Sequence, residues 1–159
     1  MVTTAHDRKV KISITLLRVL IGWHFLYEGI VKLYNPEWTS FGYLASAQGP
    51  FKSIFYSLTA PSIIDWVDNL NVTALLVVGI TFLLGIFEKK GALVGICLLG
   101  LYYLAHPSFP GIQQINVEGN YWLVNKNLIE LVACIVIYNY PTARFFGLGL
   151  FRKRKLIKK

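Results

Sequence analysis

ISITLLRVLIGWHFLYEGIVKLY, residues 12–34, is apolar enough to cross a lipid bilayer, yet it carries Arg18, His24, Glu28 and Lys32 within the run. At 1.5 Å per residue it exceeds the ~20 residues that a hydrocarbon core of ~30 Å requires. A charged side chain near the middle of a bilayer costs about 2.5–3.5 kcal/mol, so such groups normally face protein or water rather than lipid. His24, Glu28 and Lys32 follow one another at i, i+4 and i+8, a slanted stripe along one side of a helix. Gly22 and Gly29 lie on the neighbouring side, in line with Arg18 and Phe25, where a second helix can approach closely. The basic start (Arg8, Lys9, Lys11) resembles a signal peptide, but no small-x-small cleavage site follows and the apolar run is interrupted by ionisable groups. The stretch is therefore expected to remain as a first membrane helix.

Working outward, three further apolar runs follow, at about 72–87, 92–106 and 121–140. The second can be lengthened by Trp66, Val67 and Leu70, and the third is closed by Pro107. The chain has 159 residues, 55% hydrophobic and 15% charged, with positive mean hydropathy. Soluble domains carry roughly a quarter charged residues. These features predict an all-α fold, a polytopic four-transmembrane-helix bundle forming one domain over 1–159. They leave 35–70 as a long outer loop and 141–159 as a basic cytoplasmic tail. Lys and Arg concentrate before the first run, in Glu88-Lys89-Lys90-Gly91 and after Tyr140. By the positive-inside rule both termini and the short turn are cytoplasmic, which requires an even number of spans.

The net charge of +8 does not point to nucleic acid, because Arg152, Lys153, Arg154, Lys155, Lys158 and Lys159 directly follow an apolar segment. Such a tail suits anionic lipid headgroups. Cys97 and Cys134 lie inside apolar runs without C-x-x-C, which indicates neither a thioredoxin-like pair nor a zinc site. Gly91-x-x-x-Gly95, Gly100, Gly79 and Gly85 predict close packing of the second and third helices.

The outer loop is long for a helical bundle and too apolar for a linker. Phe51, Ile54, Phe55 and Leu58 recur at helical spacing after Gly49-Pro50, which predicts a short amphipathic helix on the membrane surface. Ser62-x-x-Asp65 has a capping-box pattern and predicts the start of another segment. The loop reads either as a lid over a site between the helices or as an interfacial belt sealing the bundle.

The fourth run opens with Asn125, Lys126, Asn127 and Glu130, and His106 ends the third at the same outer edge. Glu28 and Glu130 fall at comparable depth. Two carboxylates, two lysines and two histidines could thus line one outward cavity, where low dielectric would suit proton transfer or anion binding. Glu28–Lys32 and Lys126–Glu130 are also i, i+4 pairs, and Glu130 has Arg18 or Lys32 as further partners. A structural ion-pair network is the other reading of the same residues.

The run Arg18-x-x-x-Gly22, Glu28-Gly29-x-x-Lys32-Leu33 and Pro36-x-Trp38 resembles the opening of DoxX/DoxD membrane proteins. Tyr43-Leu44, Gly49-Pro50-Phe51, the Gly79…Gly85 helix and the basic turn extend the resemblance over most of residues 14–147. The pattern is similar in form to that of proteins related to the small, DoxD-type subunit of thiosulfate:quinone oxidoreductase. The resemblance implies a four-helix bundle in a prokaryotic cytoplasmic (inner) membrane. For some members it implies electron transfer from a sulfur compound to quinone with a partner subunit. Relatives often carry an acidic residue and a histidine where this chain has Asn125-Lys126-Asn127. Arg18, Glu28, Lys32, Pro36 and Trp38 match the family pattern.

The expectation that follows is a membrane subunit of a redox or stress-response complex, with quinone as the implied cofactor and no metal, haem or flavin motif. Glu28 and Glu130 would handle protons with His24 assisting, as the catalytic set. Lys32, Lys126, Arg18, His106 and Trp38 would bind a substrate such as thiosulfate. The alternatives are a non-catalytic membrane anchor or assembly factor, and a small-molecule transporter acting as a homo-oligomer.

Overall fold

The computed structural model describes residues 5–111 and 120–148. The basic tail beyond 148 lies outside the described residues. In chain order they form α1 (Ala5–Tyr34), α2 (Phe41–Ala45), α3 (Lys52–Ser57), α4 (Ile64–Leu84), α5 (Glu88–Ala105), a short hairpin of β1 (Asn120–Tyr121) and β2 (Val124–Asn125), and α6 (Lys126–Asn139). The structure is mostly helical. Among the described residues, α1 and α4 are the two helices long and apolar enough to cross a membrane.

Each apolar run becomes a helix, but several boundaries differ from those expected. The second helix begins at Ile64, so the first turns of α4 are built from residues assigned to the loop. Ser62 does not cap it: the residue preceding the helix is Ile63, and no side chain accepts a first-turn amide. At its other end Gly85 turns left-handed (φ 62°) and its amide bonds to the Thr81 carbonyl, a conformation glycine adopts at little cost. The reversal occupies only Gly85–Phe87, and Glu88-Lys89-Lys90-Gly91 forms the first turn of α5 rather than a connection. The fourth helix is shorter than 121–140, because Asn125 caps it by accepting from the Leu128 amide at 3.0 Å, and the residues before it pair Tyr121 with Val124.

The four longer helices share a core that includes Phe25, Leu75, Val78, Phe82, Leu99, Cys134 and Ile137. Small residues let α1 and α4 approach closely: a Cβ at Gly22 would sit 2.7 Å from Phe82 Cβ, and one at Gly79 2.6 Å from the Leu26 amide nitrogen. Gly79 therefore serves the α1–α4 contact and not the α4–α5 packing expected of it. Gly91 does face α4, against Thr81, and Gly95 faces both Val78 and Cys134. Cys97 is exposed and Cys134 buried, and both are free.

Helix α5 packs on α4 and α6, whereas α1 and α6 touch sparsely, which leaves a seam between them. The segment between α1 and α4, predicted as an outer loop, closes over this end. Leu44 and Phe55 are buried against Ala105, with Tyr43, Leu58, Ile64 and Val67 around them. Of the expected amphipathic stripe, Phe55 points inward while Ile54 stays exposed.

Candidate functional site

The seam opens into a cavity of about 340 Å³ between α1, α4, α5, α6 and the outer segment. The stripe on α1 places His24, Glu28 and Lys32 along one wall, and the first turns of α6 place Lys126, Asn127 and Glu130 on the facing wall. Trp38, Ser40 and Tyr43 of the outer segment close the mouth, and Phe25, Leu75, Leu99 and Tyr102 give the floor an apolar and aromatic lining. Six of the eight residues singled out from the sequence thus surround one volume.

Within it, Lys32 pairs with Glu28 along α1. His24 Nε2 lies 3.5 Å from Glu130 Oε1, which joins α1 to α6 across the seam. The Lys32 ammonium also sits 5.6 Å from the centre of the Trp38 ring, within range of its π face. Two carboxylates and two lysines share the walls, so their formal charges cancel.

The mouth is held by specific bonds. Asp68 of α4 accepts from the Ser40 amide at 2.9 Å and also from the Ser40 hydroxyl, pinning the start of α2. The Tyr43 hydroxyl donates to the Tyr102 carbonyl at 3.1 Å. Burial, and then the neighbouring Tyr102, push the Tyr43 phenol above its ordinary pKa, so it keeps its proton and remains a donor. Asn71 of α4 donates to the Tyr102 hydroxyl at 2.8 Å, tying α4 to α5 beneath the cavity.

Two expected substrate-binding residues lie elsewhere. His106 is buried behind the cover: its Nε2 is 2.9 Å from the Tyr43 carbonyl and its ring centre 4.3 Å from that of Tyr43. Its own carbonyl accepts from the capping Asn125 at 3.4 Å, so it supports the outer segment instead of lining the cavity. Arg18 lies ten residues before Glu28, roughly 15 Å along α1. It is 2% exposed and donates to Thr142 Oγ1 at 3.1 Å and to the Phe146 carbonyl at 2.6 Å. Its acidic neighbour is Glu88, at 3.7 Å, and not Glu130. Glu88 in turn accepts from the amides of Thr142 (3.1 Å) and Ala143 (2.6 Å). This is a structural lock between α1, α5 and the segment after α6.

Tyr43, Asp68, Asn71 and Tyr102 are the site residues that sequence reasoning passed over. Asp68 and Asn71 stand at i and i+3, so one polar face of α4 was visible once that helix is begun at Ile64. No group of three potential metal ligands occurs among the described residues.

The DoxX family model matches residues 13–107, which take in most of α1, the whole segment between α1 and α4, and α4 and α5. No curated protein and no solved structure matches the chain.

Proposed function

The chain belongs to the DoxX family of membrane proteins, and from that premise we propose that it is the membrane subunit of a quinone-linked redox complex, with the α1–α6 cavity as its binding site. On this reading α5 and α6 span the bilayer beside α1 and α4. Both termini then face the cytoplasm, a topology that the distribution of Lys and Arg supports. The setting is the inner membrane of a prokaryote.

The observation that carries the proposal is the His24–Glu130 contact across the seam, in a cavity that also holds the Glu28–Lys32 pair. A histidine in contact with a partly buried carboxylate is a means of passing a proton. The cavity accommodates a ring-sized molecule against Phe25, Leu99 and Tyr102. A quinone supplies two-electron, two-proton chemistry when bound, and the electrons would be exchanged with a redox centre of a partner subunit. The chain's own residues would do the rest. The aromatic floor holds a flat ring, the lysines present donors to its oxygens, and Glu130 with His24 takes up or returns protons at the outer face.

The balance of charge favours a neutral ligand over thiosulfate, since each lysine that would attract an anion shares the walls with a carboxylate. The protein purified in mild detergent with its co-purifying partner is expected to bind a short-chain quinone. Glu28→Gln is expected to weaken that binding about tenfold, the cost of one charge-assisted hydrogen bond. Absence of quinone binding together with undiminished activity of Glu28→Gln would sink the proposal.

A second reading draws on the internal pairing of these charges. In a non-catalytic anchor or assembly factor, Glu28–Lys32 would serve only to neutralise the helix. Exchanging the two residues should then preserve function, whereas the redox reading expects the exchange to abolish it.

A further inference from the structure

A second cleft, of about 470 Å³, lies at the opposite end of the molecule, between the first turns of α1 and the segment from Asn139 to Phe145. Two cations reach it from opposite ends of the sequence. Lys11 Nζ stands 4.3 Å from the centre of the Phe145 ring, and Arg144 Cζ stands 5.9 Å from the same centre. A ring that draws two positive groups to itself concentrates like charge, and an anion bridging them would relieve the repulsion. Asp7 is the acidic residue on the rim, and His6 and Tyr140 are the other titratable groups, which leaves the cleft with one formal positive charge when both are neutral. One flank is apolar, formed by Val10 and Ile14 of α1, with Val10 exposed.

We propose that this cleft is a binding site for the phosphate of an anionic phospholipid, held between Lys11 and Arg144 with an acyl chain along Val10 and Ile14. A phosphodiester carries the single negative charge that the cleft lacks, and the arginine fork suits its paired oxygens. A cluster of basic side chains near a membrane surface recognises such headgroups. Which leaflet supplies the lipid rests on the orientation proposed above; the site itself does not depend on the quinone cavity.

The full chain, reconstituted in nanodiscs that mix phosphatidylglycerol with phosphatidylcholine, would be released into detergent and weighed intact by native mass spectrometry. Retention of phosphatidylglycerol over phosphatidylcholine is expected. The Lys11→Gln/Arg144→Gln pair should reduce that retention tenfold or more, by roughly the attraction of two basic groups near a membrane surface. Lys11→Arg should keep it. The control is Arg8→Gln/Lys9→Gln, which removes the same charge from neighbouring residues that do not line the cleft. Equal losses in the two pairs would show diffuse surface attraction and overturn the proposal, as would equal retention of the two lipids. Displacement of the lipid by inorganic phosphate or glycerol phosphate at comparable concentration would identify a free phosphate as the ligand and overturn the lipid assignment. Unchanged unfolding temperatures in both pairs would exclude misfolding as the cause.

Discussion

The two ends of the shared helical core hold similar residues in opposite circumstances. At one end Arg18 and Glu88 are buried to within a few per cent and their hydrogen bonds run to Thr142, Ala143 and Phe146. At the other, Glu28, Lys32, His24 and Glu130 surround an open volume. Both sets put charge inside an apolar helix, and both pair it. What separates a lock from a candidate site is whether the remaining lone pairs and protons meet backbone or a cavity. Burial of an ion pair is by itself no sign of function, since desolvation offsets much of the attraction.

That contrast is broken most directly at Arg18. Arg18→Leu leaves the Glu88 carboxylate buried without its cation and should lower stability by about 3–5 kcal/mol, read from unfolding in mild detergent. Adding Glu88→Gln should recover part of the loss, because a neutral amide can no longer be a stranded charge. Gly85→Ala attacks the same end through the backbone. The left-handed conformation costs a side chain about 1–2 kcal/mol, and its Cβ would sit 2.9 Å from Gly147 Cα and 3.0 Å from the Arg18 guanidinium.

The cavity end should respond more weakly in stability and more strongly in binding. Tyr43→Phe removes the hydroxyl that donates to the Tyr102 carbonyl, at about 1 kcal/mol. Its clearer effect should be faster amide exchange over residues 38–47, where the cover is pinned. Glu28→Gln should change stability by less than about 1 kcal/mol, the range of a partly exposed ion pair, while quinone affinity falls. A loss of stability as large as that of Arg18→Leu would make the two ends one kind of structure and remove the basis for calling either a site.

The sequence made much of this legible. The charged stripe of α1 was readable because helical spacing alone puts His24, Glu28 and Lys32 on one side, and the polar head of α6 could be matched to it by depth. Arg18 was open to both readings, ligand or helix lock, because its partner Glu88 stood in a motif that looked like a short turn. Glu88 became the first residue of α5 only because Gly85 reverses the chain so sharply. His106 does follow the last residue of α5, but whether it faced the cavity or its cover depends on where α2 packs, and no local pattern in 35–63 encodes that. The same holds for the cap of α4: Ser62 has the right chemistry, yet the chain enters the helix one residue later.

The lengths of the helices carry a last consequence. Helix α1 has 30 residues and α6 has 14, which correspond to roughly 45 Å and 21 Å at 1.5 Å per residue. A hydrocarbon layer of ~30 Å overtops the shorter one by several ångströms. On the four-span reading, the bilayer must thin beside α6, or the Trp122 hairpin at its head must sink below the headgroups. Either way the mouth of the cavity is set at the level of the acyl chains. The protein's performance should then follow lipid chain length, rising in thin bilayers and falling in thick ones, with hydrophobic mismatch acting as its regulator.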